Sequence, residues 1–212
     1  MAGVAKGRFI TLEGGEGAGK STQVRRLAQR LRARGQTVVA TREPGGSPGA
    51  EAIRELLVTG GADRWSPTSE TLLMYAARRD HIERTIAPSL ERGDWVVSDR
   101  FADSTRAYQG AGGGAPGSLI QALERYVLGE TRPDLTLILD LPADVGLARV
   151  ASRTHAETRF EGKGLAFHER LREGFLAIAR VESDRCVVID ATASEDAVEA
   201  AIWAEVERRL TA

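Results

Sequence analysis

The sequence predicts an α/β fold: a five-stranded parallel sheet with helices on both faces and a small lid. Three observations carry it. Five short apolar stretches alternate with helical patterns, and they are too continuous for strands with one wet face. The first stretch runs into a glycine-rich loop that opens a helix. A polar tract with two glycines, Thr154 to Gly164, parts two late helical patterns.

Phe9 to Glu13 reads as the first buried strand because its apolar run ends at glycines. Val24, Leu27, Ala28 and Leu31 recur at helical spacing, with Gly35 as the stop. Thr37 to Thr41 is the second strand, Arg42 to Pro48 a loop, and Ala50 to Val58 a helix ended by Gly60 and Gly61. A long helical tract follows from Pro67 to Arg92, with Pro88 expected to kink or divide it. Trp95 to Ser98 is the third strand, Ala111 to Gly117 a loop, and Leu119 to Leu128 a helix. Leu135 to Leu141 is the fourth strand, and Val145 to Arg153 and Phe167 to Val181 are helices around the polar tract. Cys186 to Ile189 is the fifth strand, and Glu195 to Leu210 closes the chain as a helix.

The 212 residues suit one α/β core, so a single domain over 1–212 is expected, with a mobile lid at about 149–163. Lys plus Arg total 29 against 30 Asp plus Glu, which argues against a general nucleic-acid or membrane-surface binder. Any anion site must then be a local cluster of cations. Cys186 is the only cysteine, which excludes an intrachain disulfide. Residues 1–8 carry no apolar signal region and no run reaches membrane-spanning length, so a soluble cytoplasmic protein is expected. His81, His155 and His168 show no ligand spacing with cysteine or one another.

Gly14-Gly15-Glu16-Gly17-Ala18-Gly19-Lys20-Ser21 satisfies G-x-x-x-x-G-K-[ST], followed by Thr22. It follows a strand and opens a helix, the context the motif needs, and makes the expected architecture a P-loop kinase fold. The glycines let backbone N–H groups turn inward around phosphate oxygens, and the helix N-terminus adds partial positive charge. Lys20 is expected on the β- and γ-phosphates of ATP, and the Ser21 hydroxyl on Mg²⁺.

The loop does not fix what the phosphate is transferred to. The second strand ends at Arg42-Glu43-Pro44-Gly45-Gly46 and the third at Asp99-Arg100, where ligands of such sheets bind. Asp99 can act on the metal through water, and Arg100 and Arg42 can meet a second anion. Arg78 sits on an apolar helical stretch and needs a partner, for which an acceptor phosphate is one candidate. Asp103, Ser104, Thr105, Tyr108 and Gln109 offer groups suited to a base edge and a sugar; a capped helix is the alternative.

EGGEGAGKST, TREPGG, YAAR, SDR, STRAYQG and RPDLTL, in that order, are the residues on which the chain resembles the thymidylate kinase family nearly end to end. The resemblance implies ATP-dependent phosphorylation of dTMP with Mg²⁺, and a homodimer formed by packed helices. It implies Glu16 as the carboxylate meeting the acceptor's 3′-hydroxyl. It implies Arg78 and Arg100, with Arg42 nearby, as ligands of the acceptor phosphate, and Tyr108, Gln109, Ser104 and Thr105 around its sugar or base. Members often carry a stacking phenylalanine where this chain has Met74. Some carry an arginine inside the loop where this chain has Gly17; as in the bacterial type, lid arginines then take over, with Arg153 and Arg159 favoured over Arg149. A kinase acting on nucleosides is disfavoured by the arginines aimed at an acceptor phosphate. A guanine-specific switch protein is disfavoured by the lack of N-K-x-D.

Overall fold

The computed structural model describes residues 6–61, 63–151 and 158–211. Its centre is a parallel sheet in the order β2-β3-β1-β4-β5. The strands are β1 (Phe9–Glu13), β2 (Val38–Arg42), β3 (Trp95–Asp99), β4 (Leu135–Asp140) and β5 (Cys186–Asp190). The helices are α1 (Lys20–Ala33), α2 (Pro48–Val58), α3 (Pro67–His81), α4 (Ala87–Glu91), α5 (Ala102–Thr105), α6 (Gly117–Leu128), α7 (Ala143–Ala151), α8 (Thr158–Glu161), α9 (Leu165–Val181) and α10 (Glu195–Leu210).

The continuity of the apolar runs has a direct cause: successive side chains enter different cores. Ile10, Leu12, Val97, Leu135, Leu137 and Leu139 pack against α1 and α10 through Leu27, Leu31, Ile202 and Val206. Phe9 and Val96 point to the opposite face, where α3, α4 and α6 supply Tyr75, Leu90, Ile120 and Val127. Ile138 meets Leu171 and Phe175 of α9. Pairings of β1 with β3 (Leu12 beside Asp99) and of β2 with β3 (Arg42 beside Asp99) bring three strand ends to one edge.

Two segments differ from expectation. The tract Pro67–Arg92 is divided not at Pro88 but just before it, by π-helical turns over Ile82–Ile86. Proline lacks an N–H, and in an α-helix its ring would strike the carbonyl four residues back, that of Arg84. The wider turn, closed by the Ala87 N–H on Ile82 O, lets the chain run on. The second is the loop expected at Ala111–Gly117. π-Helical turns occupy Arg106–Gly112 and α6 begins at Gly117, which leaves only 113–116 irregular. Packing on α9 holds these turns: a Cβ at Gly174 would lie 2.8 Å from Ala111 Cβ. Among the described residues no helix is long and apolar enough to cross a membrane.

Candidate active site

A cavity of about 470 Å³ opens at the carboxyl edge of β1, β2 and β3. The glycine-rich loop forms one wall. Lys20 is buried and folds back on the loop, its Nζ donating to the carbonyls of Gly15 at 2.7 Å and Gly14 at 3.2 Å. Burial, with Arg100 next in weight, pushes its ammonium down to about 8. Ser21 Oγ donates to Asp99 Oδ2 at 2.5 Å, so the first turn of α1 meets the end of β3.

That pair of oxygens suits Mg²⁺, a hard cation that takes one or two protein oxygens and fills its shell with phosphate oxygens and water. Among the described residues no cluster of three His, Cys, Asp or Glu side chains offers an all-protein metal cage.

Gly17 is pressed against α7. It has φ +69°, and a Cβ there would lie 2.3 Å from Gly146 O. Reciprocally, a Cβ at Gly146 would lie 2.4 Å from Glu16 O. The backbones of loop and helix touch directly, and no longer side chain fits at position 17 in this arrangement. Arg149, on the same helix, reaches Gly17 O at 3.4 Å and Ala191 O at 3.3 Å.

The facing wall is cationic. Arg100 has φ +71°, a left-handed backbone for a long side chain. Its Nη1 donates to Gly14 O at 3.0 Å and Ser104 Oγ at 3.2 Å, and its Nη2 to Tyr108 OH at 2.7 Å and Glu16 Oε1 at 3.1 Å. Tyr108 OH in turn donates to Glu16 Oε1 at 2.5 Å. Burial alone would raise the Glu16 carboxyl, but Arg100 and Lys20 outweigh it and hold it down at about 2. Under this turn Glu13 accepts from the Phe101 N–H at 2.8 Å and Ser104 Oγ at 2.6 Å. Burial, then Asp103, pushes the Glu13 carboxyl up to about 8.

Arg78 also lines the cavity and is 2% exposed. Its Nε donates to Glu43 Oε2 at 2.7 Å and its Nη2 to Phe101 O at 3.0 Å; Nη1 has no partner among the described residues. Arg42 is half exposed beside Glu51, at 3.2 Å. Met74, Ser104, Thr105, Tyr108 and Gln109 line the cavity as well. Gln109 Nε2 donates to Glu70 Oε1 at 2.8 Å.

Of the lid residues, Arg153 lies outside the described residues. Arg159 is not on the cavity wall. It is buried, with Nη2 on Glu70 Oε2, Nη1 on Leu57 O at 2.9 Å and Nε on Gly61 O at 3.2 Å. All three nitrogens are engaged, and through Glu70 they brace Gln109. Asp103 turns away from the cavity to Arg185, at 2.7 Å. Asp190 accepts from its neighbour Thr192.

Sequence reasoning missed Arg54 and Phe160, which also line the cavity. Arg54 Nη1 donates to Pro44 O at 2.6 Å. Phe160 meets Tyr108 edge-on, with ring centroids 5.7 Å apart. The proximity of TREPGG to α2 was the only available signal for Arg54.

A glycine-rich loop with Lys20, Ser21 and Asp99, sharing one cavity with Arg78 and Arg100 at the carboxyl edge of a parallel sheet, defines the class of P-loop phosphotransferases. Comparison with known proteins agrees and narrows the class. The family model described as thymidylate kinase matches residues 12–202. The chain belongs to the thymidylate kinase family. It is 72% identical to the thymidylate kinase of Caulobacter vibrioides, over 98% of this chain and 99% of that one. Identity to the Bradyrhizobium diazoefficiens thymidylate kinase is 52%, over 97% and 91%. The crystal structure of thymidylate kinase from Ehrlichia chaffeensis superposes with a TM-score of 0.77 at 35% identity, covering 95% of this chain and 99% of that one.

Proposed function

We propose that this cavity transfers the γ-phosphoryl group of ATP to dTMP, giving dTDP and ADP for dTTP synthesis. The observation that carries the reading is the lining of one cavity by two sets of cations, Lys20 with the glycine-rich loop and Arg78 with Arg100. Phosphoryl transfer needs positioning and charge neutralisation more than covalent chemistry. Lys20 holds the β- and γ-phosphates, at the cost of its bonds to Gly14 O and Gly15 O. Arg78 and Arg100 hold the acceptor phosphate, with Arg42 nearby. Glu16, ionised and fixed by Arg100 and Tyr108, accepts from the sugar's 3′-hydroxyl. Met74 covers one face of the base, while Gln109, Ser104 and Thr105 border its edge.

Ser21 and Asp99 would hold Mg²⁺, which neutralises phosphate charge when bound. The segment 149–163 serves as the lid that keeps water from the reacting phosphate. Arg153 and Arg159 bring the remaining positive charge, and Arg159 can do so only if its ion pair with Glu70 opens. We place the enzyme in the cytoplasm as a homodimer. Leu72 on α3 and Tyr126 on α6, 47% and 84% exposed on two helices that pack together, support a dimer face there.

The test is a panel of nucleoside monophosphates, with thymidine added, under ATP and Mg²⁺. ADP formation that is fast only with dTMP is expected. Equal rates with thymidine, or hydrolysis indifferent to the acceptor, would overturn the reading.

A further inference from the structure

Behind the acceptor wall lies a buried chain of polar groups that phosphoryl transfer does not call for directly. It begins at Thr41 on β2, whose Oγ1 lies 2.8 Å from His81 Nε2. His81 Nδ1 lies 2.9 Å from Glu43 Oε1, and Glu43 Oε2 accepts from Arg78 Nε at 2.7 Å. His81 is wholly buried, and the side chains of Glu43 and Arg78 are 3% and 2% exposed. The order is hydroxyl, imidazole, carboxylate, guanidinium, with the last two members lining the cavity.

Each link fixes the next. A carboxylate only accepts, so Nδ1 donates to Glu43, and Nε2 shares the other bond with the Thr41 hydroxyl. Glu43, held at both oxygens, fixes the Nε edge of Arg78. Phe101 O fixes Nη2, and the nitrogen left for a ligand is Nη1. A planar guanidinium clamped along two edges has no freedom to swing its third.

The fold also covers the far end from one side. Gly46 has φ +84°, and a Cβ there would lie 2.4 Å from His81 Nε2 and 2.5 Å from Thr41 Oγ1. Its backbone therefore lies directly over the Thr41–His81 bond. Gly46 is pinned from both sides, its N–H on Glu51 Oε1 at 2.9 Å and its carbonyl on Thr85 Oγ1 at 2.8 Å. Gly46 thus shields one side of a part-buried bond that in turn orients the imidazole, and hydrogen bonds of a polar network strengthen as their surroundings lose polarity.

We propose that His81 is a positioning residue for the acceptor phosphate: through Glu43 it sets the orientation of Arg78. This rests on the reading of Arg78 as a phosphate ligand. His81 itself touches no substrate. Its removal leaves Glu43 with one partner instead of two and lets the carboxylate, and Arg78 with it, rotate away.

The test is steady-state kinetics on His81→Gln, His81→Asn, Thr41→Val and Arg78→Ala, with circular dichroism to check each fold. Glutamine moves the donor away from Glu43; asparagine keeps an N–H near the position of Nδ1. His81→Gln should raise KM for dTMP about tenfold, which is ~1.4 kcal/mol of binding, while kcat and KM for ATP stay within about twofold. His81→Asn should recover most of that loss, and Thr41→Val should move KM for dTMP two- to threefold the same way. In an Arg78→Ala background His81→Gln should add nothing, because the two act as one unit.

Equal changes in both KM values, or full additivity with Arg78→Ala, would make His81 a packing residue and overturn the proposal. If His81→Gln does not fold, Thr41→Val carries the test alone, and no change in its KM for dTMP overturns it. An Arg78→Ala enzyme with unchanged KM for dTMP would remove the phosphate-ligand reading and this inference together. A His81→Gln enzyme with unchanged KM beside an impaired Arg78→Ala enzyme would remove the inference alone.

Discussion

Replacing Gly146 by alanine sets two effects of opposite sign against each other. Within a helix such as α7, alanine is favoured over glycine by up to ~1 kcal/mol, so propensity alone predicts a more stable protein. The contact with the loop predicts the reverse. The new Cβ would lie 2.4 Å from Glu16 O, whereas an ordinary carbon–oxygen approach is about 3.3 Å. Helix and loop must therefore separate by about 0.9 Å, and neither atom belongs to a side chain that can rotate away. Overpacking of this kind costs about 1–3 kcal/mol, so the net change is a loss of up to about 2 kcal/mol. At about 2–4 °C per kcal/mol for a chain of this size, Tm should fall by up to about 8 °C. Turnover should suffer more. A displacement near 1 Å at a reacting site costs on the order of 10²-fold, and the displaced residue is the one that fixes Arg100 and Tyr108. A coupled assay of ADP formation and a thermal melt measure both effects. Gly117→Ala is the control, since a Cβ there meets nothing within 4 Å; it should leave turnover unchanged and raise Tm slightly. Turnover of Gly146→Ala within threefold of the parent, with Tm raised, would refute the contact between loop and helix.

Three further outcomes are expected. Lys20, pushed down to about 8 by burial and Arg100, is about half protonated at pH 8 in the free protein, and bound triphosphate should restore the proton. Calorimetric titration of ATP in buffers of different ionisation enthalpy should show uptake of about half a proton at pH 8 and almost none at pH 6; equal uptake at both refutes it. Arg159→Ala leaves the Glu70 carboxylate buried and unpaired, which should cost about 3–5 kcal/mol, and replacing both residues by methionine should recover most of it. A thermal melt within 2 °C or so of the parent would dismiss that pairing. Met74→Ala removes an apolar cover from the cavity and should raise KM for dTMP about five- to thirtyfold through a loss of about 1–2 kcal/mol, with kcat little changed; a shift under twofold would exclude Met74 from the base site.

Much of this could be read along the chain, for a physical reason. The cradle is local: strand, loop and helix start are contiguous, and Gly14, Gly17 and Gly19 supply the positive φ of the turn, although Gly14 and Gly17 also make room for the distant carbonyls of Leu139 and Gly146. The strand ends were legible because an apolar run that stops at Asp99-Arg100 places those residues at the sheet edge whatever the helices do. Contacts between distant segments were not. Nothing near Arg159 announces Glu70, 89 positions away, or that the pair braces Gln109. Asp103 reads like a neighbour of Ser104 and Thr105, yet it pairs with Arg185, 82 positions on. The π-helical turns escaped because the 3.6-residue period of apolar positions does not register one extra residue before Pro88. The spacing of His81 from the cysteine and the other histidines speaks against a metal site, while its place beside Glu43 depends on how α3 ends against β2.

The left-handed backbone of Arg100 sets evolution and engineering at odds. A non-glycine residue in that region carries on the order of 1–3 kcal/mol of strain, tolerated because the surroundings over-determine it. Glycine or asparagine at position 100 would shed that strain, but it would also give up the bonds to Gly14 O, Ser104 and Tyr108 and leave the Glu16 carboxylate without its cation. Campaigns that harden an enzyme by relaxing its positive-φ residues therefore have to pass over this codon, where the strained backbone and the cation it presents come as one.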